Sequence, residues 1–262
     1  MRNHIILTSG RSGSNYLTNV LNRHPRLVNY GEVLAPMIPP YKWFLKCKLC
    51  PWSVERYLNG FYHSRLVFHA GQVYSARAHR KAKKPVHHKR YRDVVSIGTK
   101  DFFLSVKNAG MTDYYVARPE ISIIYLRRDN LLKRYLSGVF MRKTRIAASE
   151  QAVEVPKGRV DLEHLDRSLM IMAAEVAHEQ AVMAALTRHP VMSIRYEDYF
   201  ASDVSIIDYN QRVFAFLGVE PIPIKSEQKK ILPQAIRDLV ENYDELCAHL
   251  ADGPYAKFLE DA

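Results

Sequence analysis

Thr8-Ser9-Gly10-Arg11-Ser12-Gly13-Ser14-Asn15-Tyr16-Leu17 follows a short apolar run, His4 to Thr8, and leads into a helical pattern with Tyr16, Leu17, Val20 and Leu21 on one face. The order is strand, glycine loop, helix. Gly10 and Gly13 leave successive backbone N–H groups free to surround an anion, as phosphate loops do. The ATP-binding P-loop is different: its glycines stand further apart and it ends in Gly-Lys-Ser/Thr. Arg11 takes the place of the missing lysine. Its planar fork can hold two oxygens of one phosphate or sulfate group, and Ser12, Ser14 and Asn15 offer neutral donors around the rest. A plain turn between strand and helix would need no arginine flanked by hydroxyls.

Outward from this loop, strand and helix patterns alternate. Leu27 to Tyr30 reads as a second short strand, Val94 to Thr99 as a third, Ile121 to Leu126 as a nearly all-apolar fourth and Val191 to Arg195 as a fifth. Helical patterns cover Trp52 to Phe68, the stretch from Leu131 to Phe140, and Asp166 to Arg188, while Gly218 reads as a helix stop. Pro36, Pro39 and Pro40 are expected to forbid regular structure. This alternation predicts an α/β protein with a mostly parallel central sheet and helices on both faces, its ligands beyond the carboxyl ends of the strands. No internal repeat is present, and residues 1–262 read as a single domain.

Arg11-Ser12-Gly13-Ser14, after a terminal strand and before an amphipathic helix, resembles the 5′-phosphosulfate loop of sulfotransferases that use 3′-phosphoadenosine 5′-phosphosulfate (PAPS). That family carries a second strand ending in arginine, followed by a helix with a serine, and the two hold the nucleotide's 3′-phosphate. Ile123-Ile124-Tyr125-Leu126-Arg127-Arg128-Asp129-Asn130, with Ser137 downstream, is similar to it. The Arg-Asp-Asn-Leu-Leu form looks more like bacterial carbohydrate and lipopolysaccharide sulfotransferases than like the cytosolic branch, and either Arg127 or Arg128 can be the ligand. The resemblance implies a P-loop-kinase-like sulfotransferase fold, PAPS as donor, and Gly10, Arg11, Ser12, Gly13, Ser14, Asn15, Arg128 and Ser137 as its binding residues. Departing from the cytosolic branch, the chain lacks the Arg-Lys-Gly…Gly-Asp-Trp-Lys motif on the adenine side.

Sulfuryl transfer to a hydroxyl needs a group that removes the acceptor proton. Glu32 is the candidate base. Gly31 before it lets the backbone turn, and a Gly-Glu at this place looks like the base of bacterial carbohydrate sulfotransferases. His24, His63 and His69 are alternatives that no spacing favours. Arg11 and the loop N–H groups would meet charge on the sulfuryl oxygens, and this chemistry requires no metal. Lys100 could reach the same site, although a lysine at a strand end is more often solvated.

The net charge of +11 favours anionic partners, and the excess concentrates between Arg77 and Arg92, where no acid intervenes. That run reads as a solvated loop or anion-binding patch within an insertion, residues 36–92, on the acceptor side. The implied acceptor is a glycan or glycolipid, with contact to a membrane surface as a further expectation. The run lacks the interleaved aromatics of a specific nucleic-acid reader. A basic nucleic-acid-binding protein and a kinase-like phosphotransferase are the rival classes, and the latter lacks its P-loop lysine. Cys47 and Cys50 have the spacing of half a zinc site but no second pair, so three cysteines with no secretory signal read as free thiols in the cytoplasm. Acceptor identity and oligomeric state are not encoded in any motif found.

Overall fold

The computed structural model describes residues 1–47, 52–83, 85–144, 157–226 and 235–259. Five strands, β1 (Arg2–Thr8), β2 (Leu27–Asn29), β3 (Ser96–Phe102), β4 (Ile121–Arg127) and β5 (Val191–Arg195), form one all-parallel sheet in the order β2-β3-β1-β4-β5. The helices in chain order are α1 (Ser14–Arg23), α2 (Pro39–Lys46), α3 (Val54–His63), α4 (Arg65–Lys81), α5 (Phe103–Asn108), α6 (Thr112–Val116), α7 (Leu131–Thr144), α8 (Leu162–Ala185), α9 (Tyr196–Tyr199), α10 (Asp203–Phe216) and α11 (Tyr243–Leu250). The predicted α/β class with helices on both faces is what the chain adopts.

Side-chain alternation explains why both faces are covered. Ile5, Leu7, Ile123 and Tyr125 point into a core shared with Leu58 and Tyr62 of α3, Phe103 of α5 and Val182 of α8. Their neighbours Ile6, Ile124, Leu126 and Ile194 point the other way, against Leu17, Val20 and Leu21 of α1 and Val213 and Phe214 of α10. A third cluster joins α7 and the start of α8 to α11. No described helix is long and apolar enough to cross a membrane.

This strand order fixes where a ligand can sit. After β1 the chain turns towards β2 on one side, and after β3 it passes to β4 on the other side of β1. The carboxyl ends of the neighbours β1 and β4 therefore open onto a topological switch point. The phosphate-like loop and Arg127-Arg128 lie at those two ends.

Several sequence-based boundaries are corrected. Pro39 and Pro40 begin α2 instead of preventing it, because a proline in the first turn loses only an N–H that had no partner in the helix. α8 starts at Leu162, where the Asp161 side chain accepts from the His164 N–H at 3.0 Å. The third strand runs to Phe102, because its pairing with β1 continues to Thr8 opposite Phe102, and Lys100 and Asp101 are carried into the sheet. The basic run is not one solvated loop. Arg77 to Lys81 form the end of α4, and Lys89 is turned inward, donating to the Asn22 carbonyl at 2.6 Å and to that of Leu27. Burial lowers the pKa of Lys89 to about 7. Gly218 ends α10 at φ 75°, as expected. Cys50 and Lys84 lie outside the described residues, and no metal-ligating cluster occurs among the described residues.

Candidate anion and active site

The loop between β1 and α1 is held by its own carbonyls. Ser9 O accepts from the Ser12 hydroxyl at 2.8 Å and from Thr8 Oγ1 at 3.1 Å. Gly10 O accepts from Arg134 Nε of α7 at 3.1 Å, and Arg11 O from an Arg128 guanidinium nitrogen at 3.1 Å. Thr8 Oγ1 also reaches Leu126 O at 2.7 Å, so the ends of β1 and β4 are tied together. Arg11 and Gly13 adopt positive φ, 68° and 81°. For Arg11 that is a costly conformation, tolerated where the surroundings dictate it.

α1 has no side-chain cap and no acid in its first turn, so its N-terminal N–H groups remain available to an anion. At the start of α7 the situation is reversed. The Glu197 carboxylate accepts from the Asp129 and Asn130 N–H groups, both at 3.1 Å, and fills that end with protein charge.

The structure brings Arg11, Arg128 and Ser137 together. Arg11 Nε donates to Ser137 Oγ at 3.0 Å and another guanidinium nitrogen lies 3.2 Å from Met141 Sδ, which closes the loop onto α7. Arg128 lies with its guanidinium 4.3 Å from the centre of the Tyr196 ring, and its Nε is buried with no hydrogen-bond partner. Neither Arg11 nor Arg128 has an ion-pair partner among the described residues. Burial, and for Arg11 also the neighbouring Arg128 charge, lowers the pKa of both. Arg127 is 40% exposed and pairs with Asp129 at 3.5 Å. Arg134 is neutralised by Glu175 of α8.

The remaining predicted residues divide. Ser12 is fully buried with its hydroxyl engaged inside the loop, so its backbone N–H is what it has left to offer a ligand. Ser14 is buried at the start of α1 and Asn15 is exposed. Gly13 sits under an aromatic wall: a Cβ there would lie 2.5 Å from the Phe200 ring, on a backbone that disfavours side chains. Gly13→Ala is expected to destabilise the chain by about 1–3 kcal/mol, measured by denaturant unfolding. It should also weaken anion binding as Phe200 is displaced.

Glu32 follows Gly31, whose φ is 71°, and its Oε1 accepts from Lys100, which is 2% exposed. Lys100 is thus not the solvated strand-end lysine anticipated: the continued β3 pairing places it in the sheet, with its ammonium 4.8 Å from the Phe102 ring centre. Of the other bases considered, His24 lies over the Phe214 ring with Nε2 at the Glu220 carbonyl, a packing role.

Beside this pair, Asp101 is fully buried and accepts from the Val33 and Leu34 N–H groups at 3.0 and 2.9 Å, which fixes the turn just after Glu32. Burial outweighs those bonds and raises its pKa from 3.8 to about 7. In that interval the folded chain holds a proton that the unfolded chain has released, so this group's effect is to lower stability as pH rises towards 7. Asp101→Asn is expected to lose less stability than the wild type between about pH 5 and about pH 8, a difference of about 3 kcal/mol read by denaturant unfolding at each pH.

Sequence reading missed two carboxylates behind the loop. Glu179 of α8 accepts from the Ser9 hydroxyl and from Tyr125 at 3.2 Å, and burial raises its pKa to about 7. Glu175, one turn away, holds Arg134. The α8 carboxylates carried no local signal in the sequence.

No family model matches the chain. Solved structures it resembles include the sulfotransferase of Alicyclobacillus acidocaldarius, 17% identical with a TM-score of 0.45 over 99% of this chain and 95% of that one, and the sulfotransferase domain of the Synechococcus PCC 7002 olefin synthase, 15% identical with a TM-score of 0.40 over 83% and 74%. In sequence, the chain is 25% identical to nodulation protein H of Rhizobium meliloti (strain 1021) over 267 residues, covering 97% of this chain and 94% of the relative.

Proposed function

We propose that the chain is a sulfotransferase that takes the sulfuryl group from PAPS and places it on a hydroxyl of a carbohydrate or glycolipid. The observation that carries this reading is the pair Arg11 and Arg128. Two partly buried guanidinium groups lie at the switch point, near enough for the Arg128 charge to act on Arg11, and neither has an ion-pair partner among the described residues. Such an arrangement costs folding energy and is relieved by a polyanionic ligand. The similarity to nodulation protein H, over nearly the whole of both chains, supports the same class.

In this reading the donor is a substrate that supplies the reactive sulfuryl group. The N–H groups of Gly10 to Asn15 and the Arg11 side chain receive its 5′-phosphosulfate, while Arg128 and Ser137 receive its 3′-phosphate. Arg128 is preferred to Arg127 because Arg127 already has Asp129. The acceptor oxygen forms a bond to sulfur as the bond from sulfur to the phosphate oxygen breaks. Lys100 occupies Glu32 Oε1, so Oε2 is the atom that would take the acceptor proton. Residues 1–262 act as one domain, with residues 36–92 on the acceptor side, in the cytoplasm.

Calorimetric titration with 3′-phosphoadenosine 5′-phosphate, ATP and 5′-AMP tests the donor. Binding of the 3′,5′-bisphosphate at least tenfold tighter than of the other two, lost in Arg11→Ala, is the expected result. Equal affinity for ATP would favour a phosphotransferase, and no binding at all would sink the reading.

A further inference from the structure

α4 leaves one face uncovered. Phe68 anchors the helix in a cluster with Val28, Val94 and Ile97, and Gly71 lies against the Tyr30 ring, where an added Cβ would come within 2.8 Å. On the side opposite Phe68, helical spacing aligns Leu66, Ala70, Val73, Arg77 and Arg80, flanked by Tyr74 and Lys81. Leu66, Val73 and Tyr74 are 82%, 51% and 69% exposed. Arg77, Arg80, Lys81 and Lys83 are exposed as well, and none has an ion-pair partner among the described residues. Among the described residues, seven of the thirteen large apolar side chains that are exposed lie between Met37 and Tyr74, including Trp43 and Trp52. They are therefore concentrated in one stretch of the chain, α4 and the segments leading into it.

We propose that this face docks on an anionic lipid surface. The proposal does not depend on the reaction assigned above. Charge complementarity selects the occupant: no acidic residue occurs between Glu55 and Asp93, so a second copy would set like charges against each other. The apolar stripe separates a bilayer from a nucleic acid, because Leu66, Val73 and Tyr74 would find acyl chains in the first and only phosphates and sugar in the second. The arrangement is that of an interfacial helix, with apolar residues on its first half and cations on its last turn, where they also complement the helix dipole.

The full chain is expected to sediment with phosphatidylcholine vesicles containing a quarter phosphatidylglycerol and not with phosphatidylcholine alone. Arg77→Glu/Arg80→Glu/Lys81→Glu should lower the partition by on the order of a hundredfold. Leu66→Ser/Val73→Ser/Tyr74→Ser should remove what binding survives high salt. Both variants should keep the wild-type far-ultraviolet circular dichroism and a melting temperature within a few degrees of the wild type, which shows that they fold. Equal binding to neutral vesicles, or unchanged binding of the charge variant, would overturn the proposal. So would a dimer that either variant dissolves in the absence of vesicle binding, or tighter retention on duplex DNA that is indifferent to the serine substitutions.

Discussion

Arg128→Ala is expected to weaken binding of 3′-phosphoadenosine 5′-phosphate by about a hundredfold or more while leaving the ligand-free protein at least as stable as the wild type. Truncation removes a cation whose Nε is buried without a partner and whose charged surroundings include Arg11 and Arg134 as well as Glu197. What is lost in the ligand-free state is one bond to the Arg11 carbonyl at 3.1 Å and the contact with the Tyr196 ring; what is gained is relief of repulsion and of desolvation. Calorimetry for affinity, with thermal unfolding in the absence of ligand, separates these effects. A large fall in melting temperature with unchanged affinity would make Arg128 a structural residue. Arg128→Lys keeps the charge without the fork and should recover only part of the affinity.

Glu32→Gln should lower turnover by about 10²–10⁴-fold and leave affinity for the bisphosphate within a few-fold of the wild type. It should also cost about 3 kcal/mol of stability, because it strands Lys100, 2% exposed, without a carboxylate. Glu32→Gln/Lys100→Met removes both charges, and its stability should recover while its activity does not. Parallel recovery of both would show that the pair serves only the fold. Loss of bisphosphate binding in the single variant would move Glu32 from the acceptor side to the donor side.

Much of the fold was legible because the decisive signals are local. The Gly10-to-Gly13 loop, the apolar strand Ile121 to Leu126 and the turn at Gly31 each declare themselves within a few residues. Arg11 stands out as the arginine of that loop, whereas Arg128 and Ser137 are named only through the resemblance to the sulfotransferase family. Spacing does not separate Arg127 from Arg128; what differs between them is that Asp129 pairs with the first and the Tyr196 ring covers the second, contacts that packing decides. Lys100 was misread because a lysine after an apolar run looks like a strand end; only pairing with β1 shows that the strand continues. The bond from Ser9 to Glu179 spans 170 positions, beyond any periodicity. Lys89 looked like one more charge in a basic run until its ammonium was seen on the carbonyls of Asn22 and Leu27.

Three successive carbonyls of the loop, those of Ser9, Gly10 and Arg11, are each engaged by a donor from the protein. A peptide plane whose oxygen is held cannot rotate to present that oxygen to the cavity. The loop's dipoles therefore stand in their working orientation before any ligand arrives. An arriving polyanion has little chain to order and few dipoles to turn. Capture should then be governed by diffusion and charge, with an association rate that falls as salt is added.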